Sequence, residues 1–426
     1  MTLLLLLLGV VALMFLRVPV AFSLLIPSLV YIATAKGITF TIVLQRMTSG
    51  IDSFPLLAVP LFILMGNVAN QAGITDRRFN FAQVALGHIR GSLGYVNVAA
   101  SVLFSWMSGS AMADVAGLGK LEVPAMLKRG YDEKFAVGLS AASSVIGPIM
   151  PPSITAVVYG VVSGTSIGGL FVAGIIPAFM IAGILSLWVY FYARNKPQLK
   201  LPRSSWKQLS NAGGSASLAL LTPLIVLGGI LGGFFTPTEA AGAAVLYMTV
   251  LGLAYRTLGW SSLRSILVST AATTGVVMFI VASAAIFGWV LGREQVPQML
   301  TQSILALTHN PLVFLLLLNV LLLLLGMILE PNSAILIVVP VILPAAEALG
   351  IPPIQLGSVV ILNLMIGLLT PPVGLVLYVL SSVTDIPFTR VAQGTAPFLI
   401  PLIVILALVT FVPALTTWLP GVFGLS

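Results

Sequence analysis

Two nine-residue stretches decide how this chain is read: "IGPIMPPSI" at 146–154 and "IGLLTPPVG" at 366–374. Each sets an Ile-Gly pair three residues ahead of a Pro-Pro pair, so Gly147 precedes Pro151 and Pro152 as Gly367 precedes Pro371 and Pro372. Both lie inside long apolar segments, where a double proline cannot continue a helix. Proline has no N–H, and its ring displaces the carbonyl four residues back. The pairs therefore leave the carbonyls of Gly147 and Pro148, and of Gly367 and Leu368, without helical donors. Unpaired carbonyls in hydrocarbon are costly, so unwound backbone survives only where it lines a cavity or meets a ligand. A single motif of this kind is explained by a kink patched by water or a nearby serine. Two copies, 220 residues apart, point to a site built twice.

Composition sets the surroundings of that site. Of 426 residues, 59% are hydrophobic and 7% charged, against roughly a quarter charged in a soluble protein. Apolar runs repeatedly exceed the ~20 residues that cross a bilayer. The chain reads as an all-α polytopic membrane protein. Its net charge of +8 reports loops facing a negative cytoplasmic surface rather than nucleic acid. The absence of cysteine excludes disulfides, thiolate metal sites and a cysteine nucleophile. The first sixteen residues lack a basic leader and a small-residue cleavage site, and are expected to be the first span rather than a signal peptide.

Hydropathy places spans at 2–16, 18–35, 52–72, 135–165, 171–193, 218–235, 238–255, 265–292, 352–381 and 395–418, about ten in all. Two apolar stretches remain, 91–119 and 311–346, broken midway by "SGS" (108–110) and "EPNS" (330–333). A segment broken at its centre is expected to form a re-entrant helical hairpin; two short spans are the alternative. With the N-terminus outside, 16 of the 19 Lys and Arg fall on the inner side: Arg17, Arg77, Arg78, Arg90, Lys120 to Lys134, the basic 194–207 segment, Arg256, Arg264 and Arg390. Lys36, Arg46 and Arg293 fall outside, a skew that favours this orientation over its inverse.

Five crossings per half is an odd number, so the second half enters from the opposite side. The chain divides into a first inverted repeat at 1–200, with its hairpin at 91–119 and broken helix at 135–165, and a second at 218–426, with its hairpin at 311–346 and broken helix at 352–381. A cytoplasmic linker at 201–217 joins them. Inverted repeats whose broken helices meet at the bilayer midplane are the ground plan of many secondary transporters.

The hairpin tips supply the complementary chemistry. In "WMSGSAMAD" (106–114), Gly109 permits the reversal and Ser110 is expected to cap the return helix. In "EPNSAILI" (330–337), Asn332 or Ser333 is expected to do the same. Each return helix then points a partial positive charge at the midplane, an anion site without a buried Lys or Arg. The freed carbonyls with Thr370 make a site for a hard, weakly held cation such as Na⁺. Candidate substrate contacts are Ser108, Gly109, Ser110, Asp114, Pro151, Ser153, Asn332, Ser333 and Thr370. Asp114 is equally explained as a helix-dipole partner, and Glu239 in "TPTEAAG" reads as a capping-box carboxylate.

At "SGSAMAD", "IMPPSI", "GGFFTPTEAAG" (232–242), "GMILEP" (326–331) and "NLMIGLLTPPVG" (363–374) the chain resembles, nearly end to end, the large membrane subunit of tripartite ATP-independent periplasmic (TRAP) transporters. The resemblance implies an elevator-type importer of the ion-transporter superfamily, carrying C4-dicarboxylates, sialic acid or similar organic acids on a Na⁺ gradient. It implies a small four-helix membrane subunit, expected as a separate polypeptide, a periplasmic substrate-binding protein, and location in the bacterial inner membrane. By motif, one Na⁺ site would use Ser108, Ser110, Gly147, Met150 and Pro152. The other would use Gly326, Asn332, Gly367, Thr370 and Pro372. Glu330 stands where the resemblance implies Asp or a neutral polar residue. The moving transport domain would be 91–165 with 311–381, the rest forming a scaffold. A one-component Na⁺/dicarboxylate symporter is the alternative. An intramembrane enzyme would need a catalytic group at depth, yet His88 and His309 both sit near loops, and paired hairpins suit a closed site better than a channel.

Overall fold

The computed structural model describes residues 2–16, 18–35, 37–200 and 202–425. Arg17 and Lys36, two of the charges used to orient the chain, lie outside these. The first half runs α1 (Thr2–Phe15), α2 (Val20–Thr34), α3 (Thr41–Ile51), α4 (Ala58–Gln71) and α5 (Ile74–Leu86). It continues with α6 (Ser92–Ser108), α7 (Ala111–Asp114), a π-helical turn (Val115–Gly119), α8 (Lys120–Lys128), α9 (Glu133–Ser144), α10 (Ile146–Ile149), α11 (Ile154–Ser163) and α12 (Ile167–Ala193). The second half runs α13 (Trp206–Leu220), α14 (Thr222–Leu231), α15 (Pro237–Ala254), α16 (Trp260–Arg293), α17 (Val296–Leu307) and α18 (Pro311–Gly326). It closes with α19 (Pro331–Ala348), α20 (Pro353–Gly367), α21 (Leu375–Thr384), α22 (Phe388–Phe411) and α23 (Ala414–Val422).

Six of the described helices are long and apolar enough to cross a membrane alone, and two bent pairs raise the number to eight. The expectation of about ten is corrected by length. Helices α1 and α2 have 14 and 15 residues, short of the ~20 a full crossing takes, and seven residues divide α20 from α21. The first broken helix bends by 44° between α10 and α11.

A second correction concerns 201–217, read as a linker. Ser205 and Gln208 form a reciprocal capping box, with Ser205 Oγ accepting from Gln208 N at 3.2 Å and Gln208 Oε1 accepting from Ser205 N at 2.8 Å. These bonds satisfy two of the donors a helix start leaves open, so α13 begins at Trp206 and packs along α5. Between them sits Arg78, expected at the inner surface but 1% exposed. Its guanidinium donates to the carbonyls of Leu103 on α6 and Ala219 on α13.

From α5 and α17 onward the two halves follow one order: a connecting helix, a hairpin, a broken helix and a closing helix. The second arm of each broken helix packs on the other half's hairpin. Helix α11 lies along α19, and α21 lies along the π-helical turn and α8. This reciprocal exchange brings the two hairpin tips to the middle of the molecule, with α2, α4 and α16 beside them.

Two hairpin tips on two broken helices

Each tip is seated on the proline break of its own half, and glycine makes the seat. Helix α6 ends at Gly109, left-handed at φ 56°, where only glycine is unstrained. A Cβ there would stand 2.7 Å from the Pro152 carbonyl oxygen and 3.2 Å from Ile154 N, and one on Gly147 would stand 3.3 Å from the Ser110 carbonyl oxygen. In the second half α18 crosses α20 glycine on glycine. A Cβ on Gly367 would lie 2.6 Å from Gly326 Cα, and one on Gly326 would lie 3.1 Å from Gly367 Cα. The adjoining Met327 carbonyl accepts from Val373 N at 3.3 Å and Gly374 N at 3.4 Å. Both proline pairs are joined by cis peptide bonds.

The four carbonyls expected to be free divide evenly. Ser153 Oγ donates to the Pro148 carbonyl and also accepts from Ala156 N at 3.1 Å, capping α11. The Gly367 carbonyl accepts from Thr370 N at 2.9 Å in a tight turn. Those two are therefore corrected: a local donor repairs each. Gly147 and Leu368 keep a proline at the fourth position on, which has no hydrogen to give.

The caps also differ. Ser110 caps α7 as expected, its Oγ accepting from Ala113 N at 3.4 Å. At the second tip the expectation of Asn332 or Ser333 is corrected, because Glu330 is the capping residue. Its carboxylate accepts from Ser333 N at 3.1 Å, Ser333 Oγ at 3.3 Å and Asn332 Nδ2 at 2.6 Å. Pro331 occupies the first helical position, where its missing N–H costs nothing.

Both tips open on one cavity of about 710 Å³, lined by residues 108–113, residues 330–333 and polar residues of the flanking helices. Five expected site residues meet there: Ser108, Gly109, Ser110, Asn332 and Ser333. Gly147, Met150, Pro151, Pro152 and Ser153 lie buried at the first break, outside the lining. Gly326, Gly367, Thr370 and Pro372 form the second seat, and Thr370 Oγ1 donates to the Ile366 carbonyl at 3.0 Å. Asp114 is also absent from the lining; it is 1% exposed and accepts from Ser101 Oγ at 3.2 Å. Sequence reasoning missed Asn67, Asn70, Thr155 and Thr273, which do line the cavity. Asn67 and Asn70, one helical turn apart in an apolar span, were the available signal.

Among the described residues, Glu330 is the one ionisable side chain in the lining, which has no Lys, Arg or His. Ser108 Oγ and Asn332 Oδ1 are buried without a protein partner. Like the carbonyl oxygens left free at the breaks, they are oxygen donors of the kind by which unwound segments coordinate Na⁺. No cluster of three or more His, Cys, Asp or Glu occurs among the described residues.

Comparison with known proteins gives a family. The model described as "Tripartite ATP-independent periplasmic transporter, DctM component" matches residues 7–415. The chain is 48% identical to the sialic acid TRAP transporter large permease protein SiaM of Vibrio cholerae, over 97% of each chain. It is 40% identical to the sialic acid TRAP transporter permease protein SiaT of Haemophilus influenzae, over 96% of this chain and 66% of that one. It is 39% identical to the C4-dicarboxylate TRAP transporter large permease protein DctM of Pseudomonas aeruginosa, over 88% of each. Among solved structures it shares its fold with the Alcanivorax borkumensis YdaH transporter, at TM-score 0.64 and 18% identity over 91% and 89% of the two chains.

Proposed function

Because this chain belongs to the DctM family, the large permeases of TRAP transporters, we propose that it imports a small carboxylate on a Na⁺ gradient. It is a multi-pass membrane transporter and not an enzyme. The carrying observation is that two hairpin tips, each seated on a proline-broken helix of its own half, face one cavity. In this reading Na⁺ is cargo, held at the two seats by Ser108, Ser110, Gly147, Met150 and Pro152, and by Gly326, Asn332, Gly367, Thr370 and Pro372. With no cation among the described lining residues, the substrate carboxylate is neutralised by co-bound Na⁺ and by backbone N–H groups at the tips.

The same lining speaks to substrate class. A dicarboxylate would set two negative charges against Glu330, whereas a monocarboxylate with a hydroxylated neutral body would meet Asn67, Asn70, Thr155 and Thr273. This favours a sialic-acid-like molecule, the substrate named for two of the relatives. The halves are inverted repeats, and segments 91–165 and 311–381 move as one transport domain against the remaining scaffold. A separate four-helix subunit widens that scaffold, and a periplasmic protein delivers substrate. The chain sits in the inner membrane with its N-terminus outside. Uptake into proteoliposomes holding both membrane subunits, with the binding protein added, tests this. Uptake should require inward Na⁺ and the binding protein; full-rate uptake with K⁺ replacing Na⁺ on both sides would reject Na⁺ coupling. Uptake without the binding protein would instead indicate a one-component symporter.

A further inference from the structure

The first hairpin holds a buried polar cluster that the cavity does not use. It lies where α6, α8 and α9 meet. Asn97 Nδ2 donates to Glu122 Oε2 and, at 2.7 Å, to Ser140 Oγ, while Ser140 Oγ lies 3.3 Å from the same carboxylate oxygen. Ser143 Oγ donates to Asn97 Oδ1 at 2.8 Å, and Ser101 Oγ lies 3.1 Å from Ser143 Oγ and 3.2 Å from Asp114 Oδ1. Two carboxyl groups on one return arm are thus tied into a single network. Glu122 is 3% exposed, and its Oε1 has no partner. The ion pairs formed among the described residues are Lys196 with Asp132 and Arg390 with Glu133. No cation therefore offsets Glu122, and an uncompensated carboxylate in a dry interior is expelled or neutralised.

The second half shows what the fastening itself requires. Ser143 and Asn363 each stand eight residues before the first proline of their pair. Around Asn363 the hairpin is tied to its broken helix by Asn319, Thr410 and Gln355. Asn363 Nδ2 donates to Asn319 Oδ1 at 2.8 Å, Asn319 Nδ2 to Thr410 Oγ1 at 3.0 Å, and Gln355 Nε2 to the Thr410 carbonyl at 3.0 Å. That network is neutral throughout. The first arm of a hairpin is therefore fastened to its broken helix without any acid, and a charge at Glu122 is not needed for that fastening.

We infer that the Glu122 carboxyl is a proton-binding site, occupied while the return arm of the first hairpin is packed against α6 and α9. Loss of the proton to solvent leaves a carboxylate there and loosens the return arm, so the hairpin carries a pH-sensitive joint that the second lacks. The groups facing Glu122 are neutral except Asp114, two turns earlier on its own arm. Lys120 and Lys128 on α8 are exposed, Glu133 and Lys134 stand at the solvent end of α9, and Tyr378 on α21 is exposed.

Infrared spectroscopy of the full-length chain in lipid tests this without reference to transport. The wild-type protein should show the carbonyl stretch of a protonated carboxylic acid at neutral pH, unchanged when K⁺ replaces Na⁺. Glu122→Gln should remove one component of that band, read as a wild-type-minus-variant difference, and the same component should persist in Asp114→Asn. A wild-type spectrum without the band, or one that Glu122→Gln leaves unchanged, overturns the proposal. A band that emerges only on withdrawal of Na⁺ also overturns it, by assigning the site to the metal ion. Amide hydrogen exchange over 111–128 gives the second readout. Divided by the base-catalysed intrinsic rate, it should accelerate at alkaline pH in wild type and not in Glu122→Gln; equal acceleration in both rejects the joint.

Discussion

At the first break Pro151, Pro152 and Ser153 are buried beneath the hairpin tip, whereas at the second Pro371 and Pro372 are exposed beside a glycine–glycine crossing. The same G-x-x-x-P-P motif is thus finished in two ways. The first seat uses one left-handed glycine, a serine that repairs a freed carbonyl and a neutral cap held by a single long hydrogen bond. The second uses reciprocal backbone contact, two bonds to one carbonyl and an acidic cap that accepts three. A repeated motif fixes where the chain must unwind, but neighbouring residues decide how tightly each break is closed. The two seats should therefore respond differently to equivalent changes.

The largest difference is expected at the glycines. Gly367→Ala sets a methyl 2.6 Å from Gly326 backbone on a facing helix, where neither chain can step aside. Overpacking of this kind costs typically about 1–3 kcal/mol, so uptake and melting temperature should both fall. Gly147→Ala meets its neighbour at 3.3 Å, a gap that a shift of a few tenths of an ångström relieves. It should retain most of both, and equal losses in the pair would mean that the seats are alike after all.

Replacing Pro151 and Pro152 together with Ala comes next. Alanine is about 3 kcal/mol better than proline per helix-interior position, so the broken helix should become more continuous while the protein still folds. The Gly147 carbonyl would then be consumed by a helical N–H. Na⁺-dependent uptake should collapse; a stable variant with wild-type Na⁺ affinity would reduce the break to a bend in the scaffold of the site.

Much of this was legible in the sequence. The proline pairs located the breaks, "SGS" and "EPNS" located the tips, and Ser110 and the Thr236–Glu239 capping box stand as read, with Glu239 Oε2 2.8 Å from Thr236 N. What failed was the resolution of choices between adjacent polar residues. Glu330, Asn332 and Ser333 all suit a helix start, and only the helical register of Pro331 selects Glu330. Ser153 looked like a ligand because a serine just past a proline pair suits a site as well as it suits the bond it returns to Pro148, five residues back. Arg78 looked like a surface charge because its partners are carbonyls from helices 25 and 141 residues away.

The caps give a smaller contrast. Losing a capping side chain costs about 0.5–2 kcal/mol, and the better-bonded cap should sit at the upper end. Glu330→Ala should therefore lower the melting temperature more than Ser110→Ala. The reverse order would show that the 3.4 Å bond at Ser110 understates that cap.

The smallest effect lies at the solvent end of the first broken helix. Asp132 accepts from Tyr192 Oη at 2.7 Å and Lys196 Nζ at 2.9 Å, and those bonds, Tyr192 first, hold its carboxyl below the ordinary value. A depressed folded-state value means the stabilisation is present above the unfolded pKa and is lost as pH falls through the folded one. The pair is largely exposed, so Asp132→Asn should cost about 0–1 kcal/mol, less at high salt, with no difference from wild type at strongly acid pH. A constant difference at every pH would point to packing rather than charge.

The most direct test asks whether the cavity between the tips is the Na⁺-dependent substrate site. The chain has no cysteine, so Met112→Cys, a half-buried lining position beside the first tip, provides a single reporter for a thiol reagent. Substrate should slow labelling in Na⁺ and leave it unchanged in K⁺. Equal protection in both ions, or none in either, would contradict the assignment of the two seats as cation sites serving one cavity.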